Sequence, residues 1–198
     1  MYPKARIEAL TDGIFAVAMT ILILDVRLPD DFHAANADAL LRAIKDLWPK
    51  FFPYLISFFV LGGNWLANIQ LKSGEEFVSR TYAGRWLLYL FLATCLPFST
   101  VVLGRFGNLA PAVWLYAVNL AGLSAAGYRL ITLMPDLAGH ERMLDRKVAL
   151  IFLIITAGLS VVLSFITPGD AMWVYLLNFP VPHAVRWKRG RRTDAEAA

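Results

Sequence analysis

Charge is scarce in this chain. Lys, Arg, Asp and Glu together make up 17% of its 198 residues, against about 25% in soluble globular domains, and that excludes an ordinary water-soluble fold. Cysteine is rarer still: Cys95 stands alone, so no intramolecular disulfide can form, and a thiol-based metal or redox centre lacks ligands. The three histidines, His33, His140 and His183, fall in different loops without metal-ligand spacing. No glycine-rich phosphate loop is present, nor a nucleophile paired with a base. Neither an enzyme nor a bound cofactor is therefore expected.

What fills the chain instead is apolar, at 58% hydrophobic residues. Stretches of about 20 residues with few charges, long enough to cross a bilayer as a helix, lie at 6–28, 49–71, 83–103, 110–134, 148–166 and 168–185. The fold class expected is all-α, an integral membrane protein with six transmembrane helices in a single domain spanning 1–198. The sixth stretch carries Asn178 and the prolines at 180 and 182, and is expected to be short or bent at its end.

Lys and Arg are retained on the cytoplasmic side of a membrane protein, whereas acids matter little. With the N-terminus inside, only Arg27, Arg42, Lys45, Lys50 and Arg105 of the nineteen Lys and Arg fall outside. Both termini are expected to be cytoplasmic and the protein multi-pass in the cell membrane. A secretory signal competes for the first helix, since Lys4 and Arg6 precede an apolar core and Ala35-Asn36-Ala37 mimics a cleavage site. Glu8 and Asp12 interrupt the basic region, and the alanines lie too far past the core, so a retained span is the reading adopted.

In the first loop Leu40, Leu41, Ile44, Leu47 and Trp48 recur at helical spacing, with Arg42, Lys45 and Asp46 between them; a short amphipathic helix on the outer surface is expected. The basic tail from Arg186 to Arg192 follows a span directly. It reads as a topology signal and an anionic-lipid contact rather than a nucleic-acid site, and no nucleic-acid partner is expected. Small residues cluster at Gly62 and Gly63 and again from Ala121 to Gly127, where they let helix backbones approach. Asn64, Trp65, Asn68 and Gln70 put polar groups in the second span, as natural partners for acids of the first.

The first helix is two-sided. At about 100° per residue, Leu10, Gly13, Val17, Thr20 and Leu24 share one apolar face carrying a single hydroxyl, and Glu8 and Asp12 fall on the opposite face, expected to be buried. Two readings stay open. The stripe packs against lipid or core while Asp12 makes one ion pair with Arg6 or a neighbouring helix. Alternatively, several copies bring the stripe together around an axis, where aliphatic rings gate by dewetting and hydroxyls partly replace ion hydration.

The run from Arg6 through Glu8, Leu10, Thr11 and Asp12 to Gly13, with the apolar stretch to Asp25 behind it, resembles the signature helix of the transmembrane protein 175 family. That family comprises potassium channels of lysosomes and prokaryotes, and its signature is an Arg, three residues, then Phe-Ser-Asp. Pro53 to Phe58 with Trp65, and Leu96-Pro97-Phe98-Ser99, are similar to further family motifs. Two departures stand out: Leu10-Thr11 replaces Phe-Ser, and Asn68 stands where a histidine is expected, so the polar network is expected in altered form.

The resemblance implies a prokaryotic six-span subunit in a homotetramer, with the first helix lining a central potassium-selective pore. It maps a hydrophobic constriction onto Val17 and Leu24 and a hydroxyl layer onto Thr20. A polar network of Arg6, Thr11, Asp12, Trp65 and Asn68 would tie the helix end to the second and third spans. Potassium is the implied permeant ion, and lipid, monovalent cations and the other subunits are the implied partners. The chain has no Thr-Val-Gly-Tyr-Gly segment of the loop-and-carbonyl filter type. A proton-coupled secondary transporter is the alternative, because six spans and intramembrane acids also suit exchange; no internal repeat or broken helix pair supports it.

Overall fold

The computed structural model describes residues 1–70, 76–133 and 140–178, with backbone alone at 70 and 140–142. Helices α1 (Lys4–Ile21), α2 (Ala37–Lys45), α3 (Trp48–Gln70), α4 (Arg80–Phe106), α5 (Ala110–Thr132) and α6 (His140–Ser164) account for most of it. A 3-10 turn, Leu22–Asp25, continues α1, and a 3-10 segment, Pro168–Asn178, follows α6. Among the described residues, five helical stretches are long and apolar enough to cross a membrane: Lys4–Asp25, Trp48–Ile69, Arg80–Phe106, Ala110–Thr132 and Met143–Ser164. They match the first five expected spans. Of the sixth, the described residues hold only the 3-10 segment, which packs on α6; residues 179–185 and the basic tail lie outside the described residues.

The chain is mostly helical, as expected of an all-α protein; beside the helices, β1 (Tyr2–Pro3) pairs antiparallel with β2 (Phe77–Val78), because Pro3 holds an extended backbone and the Lys4 N–H continues the pairing to the Glu76 carbonyl at 2.9 Å. Two expectations are corrected. Helix α6 starts eight residues before the expected span, since the stretch from Glu141 to Lys147 is rich in good helix formers. Met143 from that extension packs, with Leu150, against Ile131 of α5. The surface helix α2 ends at Lys45, so Leu47 falls outside it and Trp48 opens α3. Asn36 caps α2 by accepting from the Ala39 N–H at 2.8 Å, and Arg42 and Lys45 in the last turn suit its dipole.

Helix α4 is the spine of the protomer. It packs against α1, α3 and α5, and α5 in turn packs against α6. Small residues do sit at several of these contacts: a Cβ at Gly122 would meet Leu92 at 3.6 Å and one at Gly127 would meet Tyr89 at 3.4 Å, whereas Gly63 faces open space. Pro97 deprives α4 of one ladder bond, and the hydroxyls of Ser99 and Thr100 bond back to the Leu96 carbonyl in the same turn. Thr100 also meets Ser57 of α3 at 2.7 Å, Ser57 meets the Tyr116 hydroxyl of α5 at 3.0 Å, and Asn119 of α5 donates to Ser99. The two motifs around Pro53 and Pro97 thus join α3, α4 and α5 through hydroxyls in the apolar interior. Outside this core, Leu87, Leu88, Phe91, Phe98, Ile155 and Val162 are exposed, as expected of helices whose solvent is lipid.

Candidate functional site

Helix α1 turns one face into the protomer and leaves the other bare. Thr11, Phe15, Ala18 and Leu22 are buried at i, i+4, i+7 and i+11, a helical stripe set against α3 and α4. The opposite stripe, Leu10, Val17, Thr20, Ile21 and Leu24, is exposed, Val17 at 56% and Leu24 at 66%. The apolar face found in the sequence therefore has no packing partner among the described residues of its own subunit. Thr20 Oγ1 lies 3.0 Å from the Ala16 carbonyl and 2.9 Å from that of Val17, so its single proton is given back to the helix. The hydroxyl oxygen keeps its lone pairs as an acceptor on this exposed face.

The acids are corrected in one respect. Glu8 and Asp12 sit at the rim of the buried stripe, and both residues are exposed rather than buried. Glu8 pairs with Lys4 at 3.4 Å. Asp12 accepts a hydrogen bond from the indole N–H of Trp65 at 2.9 Å, and makes no ion pair with Arg6. Thr11 donates to the Ile7 carbonyl at 2.7 Å and accepts from the Trp86 indole at 2.7 Å. Asp12 thus ties α1 to α3, and Thr11 ties it to α4. Arg6 is exposed and takes no hydrogen bond or ion pair among the described residues.

Asn68 does not reach α1. It donates to the Tyr89 hydroxyl at 3.3 Å and accepts from Arg146 Nη2 at 2.6 Å, and Tyr89 in turn donates to Asn64 Oδ1 at 3.2 Å. The five residues expected to form one network therefore divide: Thr11, Asp12 and Trp65 grip α1, Asn68 links α3 to α4 and α6, and Arg6 stands apart. Trp86, Tyr89 and Arg146 complete these contacts and were missed from sequence. Trp86 and Tyr89 stand three apart on one face of the third span, which could have flagged them; Arg146 was hidden by the late start assigned to the fifth span.

Between these groups lies a cavity of about 340 Å3, lined by Lys4, Glu8, Thr11 and Asp12 of α1, Asn68 of α3, Trp86 of α4 and Arg146 of α6. It occupies the bundle end that holds β1 and β2. At the other end Asp25 accepts from Arg105 through both Nε, at 3.0 Å, and Nη2. Helices α1 and α4 are thus clamped to each other at both ends. Among the described residues no group of His, Cys, Asp and Glu is arranged to hold a metal ion.

The geometry agrees with what the chain is similar to. Residues 6–97 match the family model of the endosomal/lysosomal potassium channel TMEM175. A potassium channel of Streptomyces collinus is 32% identical over 138 residues, covering 70% of this chain and 62% of that one. A potassium channel of Chamaesiphon minutus is 32% identical over 147 residues, covering 73% and 68%. The chain thus spans about three fifths to two thirds of these relatives' lengths. In fold, it superposes on the crystal structure of a lysosomal potassium-selective channel TMEM175 homolog from Chamaesiphon minutus with a TM-score of 0.74, at 23% identity over 92% of this chain and 96% of that one. The family so matched is one of ion channels and not of enzymes, and the chain belongs to it: this is a member of the TMEM175 family.

Proposed function

We propose that this chain is the subunit of a potassium-selective cation channel of the cell membrane. Four copies, each with six spans and both termini in the cytoplasm, surround a central pore lined by α1, and potassium is the permeant ion. The observation that carries this reading is the division of α1 into a face buried on α3 and α4 and a bare stripe of Val17, Thr20 and Leu24. Brought around an axis, Val17 and Leu24 make two aliphatic rings able to gate by dewetting, and Thr20 supplies a hydroxyl ring between them. Because each Thr20 proton is engaged with its own backbone, the ring presents acceptors, the polarity that replaces water around a cation.

Thr11, Asp12 and Trp65 serve to hold the pore helix at its N-terminal end, and Asn68 braces α3 behind it. Arg6, without a partner among the described residues, is assigned to a neighbouring subunit or to lipid headgroups. The experiment is ion flux from liposomes holding the purified protein: potassium should pass down its gradient faster than sodium. One observation favours the proton-coupled transporter, namely that Glu8 and Asp12 border a cavity. Flux that stops when no proton can move the other way would establish that reading in place of the channel.

A further inference from the structure

The bare stripe of α1 ends in a change of winding. The α-helix stops at Ile21 and the chain tightens into the 3-10 turn Leu22–Asp25, which carries Leu24. Hydrogen bonds in such a turn have poorer geometry than those of an α-helix, so it leans on its side chains, and within a longer helix it often marks a hinge. Two side chains hold this one. Leu22 is buried in the core, and Asp25, its side chain only 11% exposed, receives Arg105 of α4 through Nε at 3.0 Å and through Nη2, both donors converging on Oδ1. Leu24 stands between these anchors and is itself exposed. The Arg105 half has a firm seat: Leu103 is buried, and Gly104 brings α4 so near α3 that a Cβ there would lie 3.3 Å from the Lys50 Cα. By contrast Arg27 and Asp30, 3.6 Å apart and both exposed, belong to one loop.

We propose that Asp25 and Arg105 are positioning residues whose ion pair latches the last turn of the pore helix to α4 and so sets the rotation of Leu24 in the outer constriction. The latch rests on the reading of α1 as the pore helix. Successive residues turn by about 120° in a 3-10 helix and about 100° in an α-helix, so each residue that rewinds swings Leu24 by about 20° around the helix axis. Leu22 fixes one end of the turn and the ion pair fixes the other, which leaves Leu24 a single rotation. With the pair broken, the turn is held from one end only and samples both windings. An aliphatic ring that gates by dewetting admits water as it widens, so the loosened ring passes more ions. A doubly donated, charge-assisted bond has the strength and the direction for this task.

The test is potassium flux through the full chain in liposomes, in a Cys95→Ala background carrying Leu24→Cys or Val17→Cys. The rate at which a charged thiol reagent blocks flux should rise about threefold or more at position 24 when Arg105→Gln or Asp25→Asn is added, and stay the same at position 17. With Leu24 intact, either variant should raise flux about twofold or more, and Arg105→Lys, which keeps the charge and loses the fork, should fall between. Arg27→Gln, which breaks only the exposed pair, should change neither reading. An equal rise at position 17 would show general loosening, and the same effect from Arg27→Gln would show a surface-charge effect; either overturns the latch. Should Arg105→Gln fail to fold, Arg105→Lys should still raise the rate at position 24, and an unchanged rate there would overturn the latch. A thiol at position 24 whose modification leaves flux untouched with the pair intact would refute the pore reading itself. One that blocks flux at the same rate with and without the pair would refute the latch alone.

Discussion

Trp65 and Asp12, 53 residues apart in sequence, meet through a 2.9 Å hydrogen bond from indole N–H to carboxylate, and this bond fixes the N-terminal end of α1 to α3. A charged acceptor strengthens the bond and partial exposure weakens it, so Trp65→Phe and Asp12→Asn should each cost about 1 kcal/mol. The double variant should cost little more than the larger single, as partners in one bond do. Thermal unfolding in detergent measures all three, and full additivity would show that the two act separately. Asp12→Ala should accordingly impair folding or assembly more than the conductance of those channels that do assemble.

Removing bulk from the exposed stripe of α1 should open the pore. Val17→Ala or Leu24→Ala is expected to raise single-channel conductance by about twofold or more, and Val17→Asn to do so by wetting the constriction. Recordings from planar bilayers check this; unchanged currents from both positions would remove them from the pore.

Thr20 is bonded to its own backbone, so its replacement should leave the fold alone and alter ion preference. Thr20→Val is expected to shift the reversal potential under a potassium–sodium gradient toward non-selectivity, and Thr20→Ser to keep it. The isosteric Val separates loss of the lone pairs from loss of volume.

The hydroxyl cluster of Ser57, Thr100 and Tyr116 should matter for stability and not for selectivity. Ser57→Ala strands the buried Tyr116 hydroxyl and is expected to cost about 1–2 kcal/mol. Ser57→Ala with Tyr116→Phe removes both partners and should recover part of it. Denaturant or thermal unfolding reads the difference.

The first five spans were legible because a membrane demands long apolar runs, and their positions follow from hydropathy alone. The bare stripe of α1 was legible too, since helical periodicity put Val17, Thr20 and Leu24 together before any contact was known. Partner choice was not. Nothing local in the sequence says that Trp65 would take Asp12 while Asn68 turned to Tyr89 and Arg146, because those pairings depend on the rotation and offset of α3 against α4. Arg146 was not legible for another reason: hydropathy marks where lipid starts, whereas α6 runs on past that boundary. The burial expected of Glu8 and Asp12 failed because the inward face is centred on Phe15 and Ala18, leaving the acids at its rim.

The central claim is that the bare face of α1 lines the conduction path. Single cysteines at Val17, Thr20 and Leu24, introduced with Cys95→Ala to remove the native thiol, should make potassium flux through liposomes sensitive to a charged, membrane-impermeant thiol reagent, while a cysteine at the lipid-facing Phe98 should not. Flux blocked at all three α1 positions and untouched at Phe98 is the expected result. Flux indifferent to modification at all three would contradict a pore built on this helix.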